Sequence, residues 1–459
     1  MKILQRLQAL RSAARRAPLH AVIWTTTLLA ACGGGGGAER PTLGGEVRGL
    51  TANAVLELSV NGSSQSFTTS VFTEKIDISF SRSFSAGEPY TITVQKHPQG
   101  QICAVLRSAA GTLNASVRNV LVECHTTRLN DTGVQGITAA EISALAPDSS
   151  NGRDAEASRL TKVGSGVFGF DYSKICPSSE LVDSQGGCPA GANWACVRDN
   201  VTGLMWRRSD VAYAGSVPPT LDSESLCGRT NWRAPTVHEL LSTVHAGKAA
   251  APYADTDFFD FSSSGRVFLS AESYRGGLNT SWVVDFGNAG ASGSFTNGNP
   301  EVRRARWVSG TSALDDPNSS AYSKREVDAN FVIIDTSREL MWLVPKSLSQ
   351  GTWSAAVAEV AAVNAALPGT YGDWRLPNRS ELDALVNRSL DRPAMDPVVA
   401  AAIPNSNDAS VIYWSSSTYS RNTNRAWVVD FSFGDITEQD KTGQARFIYV
   451  RNRAFNNPP

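Results

Sequence analysis

The sequence predicts an α+β protein in which a small all-β sandwich is followed by two copies of one α+β domain. Three observations support this fold class. Residues 43–126 alternate apolar and polar side chains between turn signals, four sequence blocks recur in the same order later in the chain, and these blocks combine helical with strand periodicity. A chain of 459 residues has room for about three domains.

The N-terminal residues predict an export signal. A basic stretch precedes the apolar run 21–31, which is too short to span a bilayer. Residues 29–32 are Leu-Ala-Ala-Cys and five glycines follow, a pattern that resembles the lipobox of bacterial lipoproteins. The resemblance implies cleavage after residues 1–31, acylation of Cys32 as the membrane anchor, a tether over 32–42 and, because Gly33 is not Asp, transport to the outer membrane. An ordinary secretory signal with an incidental cysteine is the alternative.

The charge balance disfavours nucleic-acid partners. Lys and Arg total 42 against 43 Asp and Glu, and five of the basic residues lie in 1–31, which has no acidic residue. The exported chain therefore keeps 37 basic residues against 43 acidic ones. Such a negative balance argues against a polyanion-binding surface as the main function.

The remaining cysteines predict three disulfides, because their number is even and the chain is exported. Six cysteines allow 15 pairings. We expect pairing between neighbours in sequence: Cys103–Cys124, Cys176–Cys188 and Cys196–Cys227. A zinc site is the competing use, but the chain has no C-x-x-C motif, so no metal and no cofactor is predicted.

The first strand-rich module, residues 43–126, is predicted to be an immunoglobulin-like sandwich that serves as a spacer. Its residues 56–60 alternate Leu, Leu and Val with polar partners and lead into the hairpin signal Asn61-Gly62. His97 and His125 are isolated in the sequence, and we expect both on the surface.

An internal repeat occupies the rest of the chain. The four blocks begin at residues 199, 232, 269 and 282 in the first copy and recur 136 to 145 residues later. Matching spacing in four blocks predicts a duplicated domain. We assign a first repeat to 127–311, a linker to 312–325 and a second repeat to 326–453, and expect each repeat to have its own core.

Each repeat is predicted to contain two helices followed by antiparallel strands. In the second repeat, Trp353, Val357, Val360 and Leu367 share one face of an Ala-rich helix. Another helix begins at capping-box pairs, Thr236 with Glu239 and Asn378 with Glu381. The end of the chain, 445–453, predicts one last strand with Phe447 and Tyr449 on one face and Ile448 and Val450 on the other.

These blocks resemble the Lcl C-terminal domain family, named for the C-terminal domain of collagen-like bacterial adhesins. The resemblance rests on the strings Asp-Asn-x-Thr-Gly-Leu-Met-Trp at 199–206, Trp-Arg-Leu-Pro at 374–377 and Tyr-Trp-Ser-Ser-Ser at 413–417. It implies a C-type-lectin-like fold and, for the characterised adhesins, binding to sulfated glycans. The first copy departs from the pattern with Leu-Ser-Ala-Glu at 269–272, and the exported chain is acidic. The resemblance therefore supports the family's fold for this chain more strongly than it supports the family's ligand.

Repeated polar and aromatic residues are the candidates for chemistry, and each has a structural alternative. Three pairs of acids recur: Asp199/Asp335, Glu239/Glu381 and Asp285/Asp430. Their positions suit a turn, a helix cap and a strand end respectively. We therefore predict no catalytic residue and expect the protein not to be an enzyme. Large aromatics in strands favour a core role over a sugar-stacking platform for three pairs: Trp206/Trp342, Trp232/Trp374 and Trp282/Trp427. His238 and His245 are expected on one helix face.

The best candidate for ligand binding is the polar segment between two predicted strands of the second repeat, which is typical of a binding loop held by a rigid scaffold. Its candidate residues are Tyr419, Arg421, Asn422, Asn424 and Arg425. A second candidate is a basic patch near the repeat ends, although alternation along a strand would divide it between two faces. Its members are Arg303, Arg304, Arg306, Arg446, Arg451 and Arg453.

The sequence thus favours a lipid-anchored outer-membrane protein, facing the periplasm or the cell surface, that binds glycans or host or envelope proteins as an adhesin. Two alternatives stay open: a structural envelope component without a soluble ligand, and a glycan-active enzyme. Oligomerisation is possible, and the sequence does not specify it.

Overall fold

The computed structural model describes residues 40–452 apart from short gaps at 72–74, 127–128, 135–158, 183–185, 214, 216–217, 222–223, 264, 276–280, 294–302, 312–321, 328–329, 348, 367–373 and 409–410. The predicted signal peptide, Cys32 and most of the tether lie outside the described residues. The described chain is mostly β, with several sheets and few helices.

Residues 43–126 form two packed sheets of four strands each. The sheet orders are β4-β1-β8-β6 and β3-β2-β5-β7, and the residues between them form one apolar core around Leu56, Leu58 and Val122. The strands are β1 (Leu43–Arg48), β2 (Val55–Val60), β3 (Ser63–Thr68), β4 (Lys75–Ser79), β5 (Glu88–Lys96), β6 (Gln101–Arg107), β7 (Ala110–Leu113) and β8 (Val117–Thr126).

A disulfide crosses the first of these sheets, between Cys103 on β6 and Cys124 on β8. The other two expected pairs, Cys176–Cys188 and Cys196–Cys227, are also confirmed. The expectation of a surface His97 is wrong: its side chain is fully buried, and its Nδ1 accepts a hydrogen bond from the Cys103 backbone at 3.0 Å. The imidazole satisfies a buried backbone N–H at the start of β6, a tertiary role that its sequence neighbours do not indicate. The side chain of His125 lies outside the described part.

The described part of the first repeat contains nine short strands and one α-helix, besides a 3-10 turn at Pro189–Gly191, and its strand β17 pairs with β11. They are β9 (Tyr172–Ile175), β10 (Cys196–Asp199), β11 (Met205–Arg207), β12 (Val211–Ala212), α1 (Val237–Leu241), β13 (Val267–Ser273), β14 (Ser281–Asp285), β15 (Gly290–Gly293), β16 (Arg303–Ala305) and β17 (Val308–Ser309).

The second repeat has the same order of strands and adds two helices. Its elements are β18 (Tyr322–Val327), β19 (Asn330–Asp335), β20 (Leu340–Pro345), β21 (Gln350–Gly351), α2 (Trp353–Ala366), α3 (Arg379–Asp383), α4 (Pro397–Ala400), β22 (Ile412–Thr418), β23 (Arg425–Asp430), β24 (Asp435–Asp440), β25 (Ala445–Arg446) and β26 (Tyr449–Asn452). β18 occupies the end of the segment 312–325, for which a linker is expected.

Capping explains where the short helices begin. The side chains of Thr236 and Asn378 each accept a hydrogen bond from the backbone N–H of the glutamate three residues later, Glu239 or Glu381. The side chain of that glutamate in turn accepts a hydrogen bond from the backbone N–H of the cap residue. Both predicted capping boxes are therefore confirmed. α1 ends at Leu241, so the prediction of His245 on the same helix is wrong. Among the described helices, none is both long and apolar enough to span a bilayer.

The two repeats share one ten-stranded sheet. Its order, β12-β16-β13-β14-β15-β24-β23-β22-β25-β21, is the first-repeat order followed by the same order reversed. At the centre, Ala291 of β15 faces Ile436 of β24. These residues are equivalent, since Ala291 pairs with Val284 and Ile436 with Val429 in matching strands. The junction therefore has the symmetry of an isologous dimer interface within a single chain.

The expectation of separate cores is wrong for the same reason. One apolar cluster includes Trp206 and Trp282 of the first repeat together with Trp342 and Trp427 of the second. Joining β15 to β24 removes two sheet edges and makes the packed face continuous, so neither repeat encloses its core alone. Smaller clusters around Trp232 and around Trp374 belong to one repeat each.

The last predicted strand is divided into β25 and β26. Its alternation is nevertheless confirmed: Phe447 and Tyr449 pack in the core of the second repeat, and Ile448 and Val450 pack in the shared core. The strand is interrupted because β25 pairs with β21 and β22 in the long sheet, whereas β26 pairs with β20 in a separate four-stranded sheet.

Candidate functional site

The segment between β22 and β23 folds as a tight hairpin turn. The Tyr419 N–H donates to the Arg425 carbonyl at 2.9 Å, and the Arg425 N–H donates to the Asn422 carbonyl at the same distance. The Asn422 side chain accepts from the Asn424 N–H at 3.1 Å. Asparagine suits this position because its side chain replaces a backbone partner within the turn.

This hairpin turn of the second repeat is seated on the first repeat. The Ser420 hydroxyl oxygen lies 2.8 Å from the Ala246 carbonyl oxygen and 3.0 Å from that of Lys248. The Arg421 guanidinium reaches the Gly287 carbonyl at 3.5 Å. The loop is therefore held by contacts that cross the repeat boundary, and we call the surface formed by residues 419–425, 246–253, 266 and 285–287 the junction site.

Two arginines flank one carboxylate in the junction site. Burial raises the pKa of Asp285. Two effects oppose that rise: the Asp285 carboxylate accepts a hydrogen bond from the Gly287 N–H at 2.6 Å, and the positive charges of Arg266 and Arg421 stabilise its ionised form. The neighbouring hydroxyls of Tyr253 and Tyr419 raise the pKa of Arg421. Arg421 is exposed, so its guanidinium is open to an anionic ligand.

A pocket of about 400 Å³ adjoins the junction site and shares Pro252 and Arg266 with it. Its aromatic wall is Phe259 and the half-buried Phe261, backed by the Arg306 guanidinium at 4.9 and 4.7 Å from the two ring centroids. Burial lowers the pKa of Arg306 to about 10. The remaining lining residues are polar or small: Pro252, Thr256, Asp260, Ser262 and Ser263. A partly exposed ring beside hydroxyls and charged groups is the usual composition of a ligand pocket.

The five predicted binding residues fall into two groups. Arg421, Asn422 and Asn424 are exposed at the tip of the hairpin turn. Tyr419 is 9% exposed and packs edge-on against Trp427 at 5.3 Å, so its ring supports the loop. Arg425 belongs to β23, where its guanidinium donates to the Glu438 carboxylate at 3.0 Å and to the Glu438 carbonyl at 2.9 Å.

Sequence reasoning missed Arg266, Phe261 and the role of Ser420. The first two lie in an unremarkable polar and aromatic stretch before β13, and they meet residues 419–425 only through the tertiary fold. Ser420 lies within the predicted binding segment, but no local signal shows that it anchors the loop to the other repeat.

The repeated carboxylates have the structural roles proposed for them. Asp199 and Asp335 accept backbone N–H groups of their own turns. Glu381 receives two bonds from Arg375, at 2.6 and 2.5 Å, and Glu239 is held in the same way by Arg233. Asp430 accepts the Ser432 N–H at 2.8 Å, as Asp285 accepts that of Gly287.

All three repeated tryptophan pairs are buried, with exposures of 0–1%, so the core interpretation is confirmed. The histidines are separated. His238 Nε2 lies 3.0 Å from the Asp383 carbonyl oxygen of the second repeat. His245 packs against Phe168 and Phe170, and burial lowers its pKa to about 4. In the described part of the chain, no cluster of three or more His, Cys, Asp or Glu residues is arranged to hold a metal.

The basic-patch hypothesis is wrong. Arg304, Arg306, Arg446 and Arg451 are buried, with exposures of 2–7%. Three of them are bound inside the fold: Arg304 to Asp210, Arg306 to the Asp260 carbonyl and Arg446 to Asp408. Arg303 is half-buried, and Arg453 lies outside the described residues. Acidic partners from distant segments neutralise Arg304 and Arg446, and the local alternation does not reveal these partners.

Three comparisons relate the chain to known proteins. A family model described as the Lcl C-terminal domain matches residues 195–308 and 331–451, just over half of the chain. No curated protein matches it. Among solved structures, a fimbrial protein from Bacteroides ovatus ATCC 8483 has 11% identity, with 90% of this chain and 70% of that chain covered and a TM-score of 0.18. A TM-score of that size is too low to indicate a shared fold.

Proposed function

Because the chain belongs to the Lcl C-terminal domain family, we propose that it is a lipid-anchored outer-membrane protein that binds anionic glycans at the junction site and does not convert them chemically. We take the two repeats to have the C-type-lectin-like fold that the resemblance implies. In this proposal Cys32 carries the lipid, residues 32–42 are the tether, and the repeats face the periplasm or the cell surface.

The observation that carries the binding proposal is the position of the exposed Arg421, whose guanidinium reaches the Gly287 carbonyl at 3.5 Å and whose charge, like that of Arg266, acts on Asp285. A guanidinium matches a carboxylate or sulfate group in a planar, two-pronged arrangement. The exposed Arg421 supplies one such donor group, and the adjacent pocket offers the half-buried Phe261 ring for the apolar face of a sugar. Ser420 holds the loop in place before binding, which lowers the entropic cost of association.

The absence of catalysis in this proposal is supported by the contacts of the repeated acids. Their oxygens accept hydrogen bonds from backbone N–H groups or form ion pairs with arginines, and these contacts give each carboxylate a structural role. A general acid would instead need a free carboxyl group facing the substrate.

The experiment is an array of carboxylated, sulfated and neutral glycans probed with the purified full chain. Arg421→Ala and Arg266→Ala are each expected to weaken binding about tenfold, because one charge-assisted contact is lost. Arg325→Ala is the charge-matched control, since Arg325 is exposed on β18, outside the junction site. No signal above a tag-only control, or equal loss in all three variants, would overturn the proposal.

The anchor is tested separately by mass spectrometry of protein extracted from envelopes. The expected N-terminus is Cys32 carrying acyl chains, and Cys32→Ala is expected to stop acylation. Mature protein with an unmodified Cys32 would exclude the lipid anchor while leaving the glycan result unaffected.

A further inference from the structure

A second cavity lies between the β-sandwich and the first repeat. Its volume is about 680 Å³, within the range of small-ligand sites. The sandwich contributes residues 51–54, between β1 and β2, residues 98–100, between β5 and β6, and Gln101 at the start of β6. The first repeat contributes Leu160, Thr161, Val163, Asp171 and the turn 200–203. Loops gathered at one end of a sandwich are a common position for binding surfaces, because the strands hold them rigidly.

Hydrogen bonds made by the backbone of His97 join the two walls of this cavity, the sandwich and the first repeat. The His97 N–H donates to the Arg159 carbonyl at 3.0 Å, and the Thr161 hydroxyl donates to the His97 carbonyl at 2.6 Å. Within the first repeat, Asp171 and Ser173 accept bonds from the Asn200 side-chain amide at 3.0 and 2.9 Å. The cavity is therefore a built feature rather than a gap between loosely joined parts.

The described lining is almost without charge. Among the lining residues that the structure describes, Asp171 is the one ionisable side chain, and its two oxygens already accept the N–H groups of Val163 and Gly164 at 2.8 Å. A charged ligand would lose hydration here without gaining a counter-charge. The chemistry of the cavity thus favours an uncharged ligand.

Three amide side chains provide the remaining hydrogen-bonding groups. Asn53 and Gln99 are exposed at the cavity, and the described structure gives their side chains no hydrogen bond. Asn200 uses its Nδ2 within the protein, which leaves its Oδ1 as an acceptor. A side-chain amide offers both donors and acceptors, as sugar hydroxyl groups do, and small apolar residues such as Ala52 and Pro98 suit the C–H face of a sugar ring.

We infer that this cavity is a binding site for a neutral oligosaccharide, distinct from the junction site in both position and charge. The sandwich is then part of a binding surface in addition to any spacer role. The family model begins at residue 195, so most of the lining lies outside the stretch that the family defines.

The test measures binding of uncharged oligosaccharides of glucose, mannose and N-acetylglucosamine to the full chain. Ala52→Trp fills the cavity from an exposed turn position, and Ala110→Trp, at an exposed position of β7 outside the lining, is its matched control. Asn53→Gly removes one amide while accommodating the positive φ of 61° at that position. We expect Ala52→Trp to abolish binding, Asn53→Gly to weaken it about three- to tenfold, and Ala110→Trp to leave it unchanged.

Circular dichroism confirms that each variant is folded. Binding of neutral oligosaccharides that is equal in Ala52→Trp and Ala110→Trp would overturn the inference, as would the absence of any neutral ligand for the parent chain. Selective binding of extended peptides in place of sugars would also overturn it. Arg421→Ala is expected to leave neutral-sugar binding unchanged, so failure at the junction site and failure at the cavity are distinguishable.

Discussion

The duplicated glutamate–arginine pair allows the cost of an unpaired buried charge to be measured with an internal control. In the second repeat Glu381 and Arg375 are both buried, with side-chain exposures of 7% and 9%. In the first repeat the equivalent Glu239 is fully buried, but 32% of the Arg233 side chain is exposed. The two glutamates make the same capping box, so the environment of the arginine is the main difference.

We predict that Glu381→Gln destabilises the protein by about 3–5 kcal/mol, because Arg375 keeps its charge in a buried position. Glu239→Gln is expected to cost only about 1–2 kcal/mol, since water can hydrate the Arg233 guanidinium. Glutamine retains an oxygen for the helix cap in both variants, so capping does not account for the difference. The double variant Arg375→Met with Glu381→Gln is expected to recover most of the loss, because no buried charge remains.

The assay is urea unfolding followed by tryptophan fluorescence, analysed by linear extrapolation. Residues 32–126 contain no tryptophan, so in the exported chain, which lacks residues 1–31 and with them Trp24, the signal reports on the repeats alone. Equal losses for Glu381→Gln and Glu239→Gln, or no recovery in the double variant, would refute the reasoning from arginine exposure.

Two further predictions concern the shared core and acid stability. Ile436→Lys, at the centre of the ten-stranded sheet, is expected to destabilise the repeats by more than about 3 kcal/mol. The control Thr437→Lys, at the next and exposed position of β24, is not expected to destabilise them by that amount. Similar urea midpoints for the two variants would contradict the shared core. The pKa of His245 is lowered to about 4, so its contribution to stability is present above pH 6.5 and is lost as the pH falls from 6.5 through 4. Burial raises the pKa of Asp199 to about 6, so this group instead adds stability as the pH falls from about 6 towards 4. His245→Gln is expected to reduce the stability lost at acidic pH, and Asp199→Asn is expected to remove the stability gained between about pH 6 and pH 4. Free energies of unfolding measured from pH 7 to 4 would detect both changes. The same pH dependence as the parent chain in both variants would refute these assignments.

Local features of the molecule could be predicted from the sequence because they depend on residues close together in the chain. The capping boxes at Thr236 and Asn378 need only a three-residue spacing, and each disulfide joins cysteines that are neighbours in sequence. The duplication is visible because both copies keep the same buried residues in the same order. The burial of the tryptophans likewise follows from their position in apolar strands.

The contacts between the repeats could be decided only by the tertiary structure. Pairing of Ala291 with Ile436 depends on which sheet edges meet, and no local pattern distinguishes an edge that will be covered from one that stays open. The burial of His97 and of the arginines near the repeat ends depends on partners that are distant in sequence. The same holds for the binding loop: its polar composition comes from the sequence, but the contact of Arg421 with the Gly287 carbonyl, which brings its charge to Asp285, requires the folded pair of repeats.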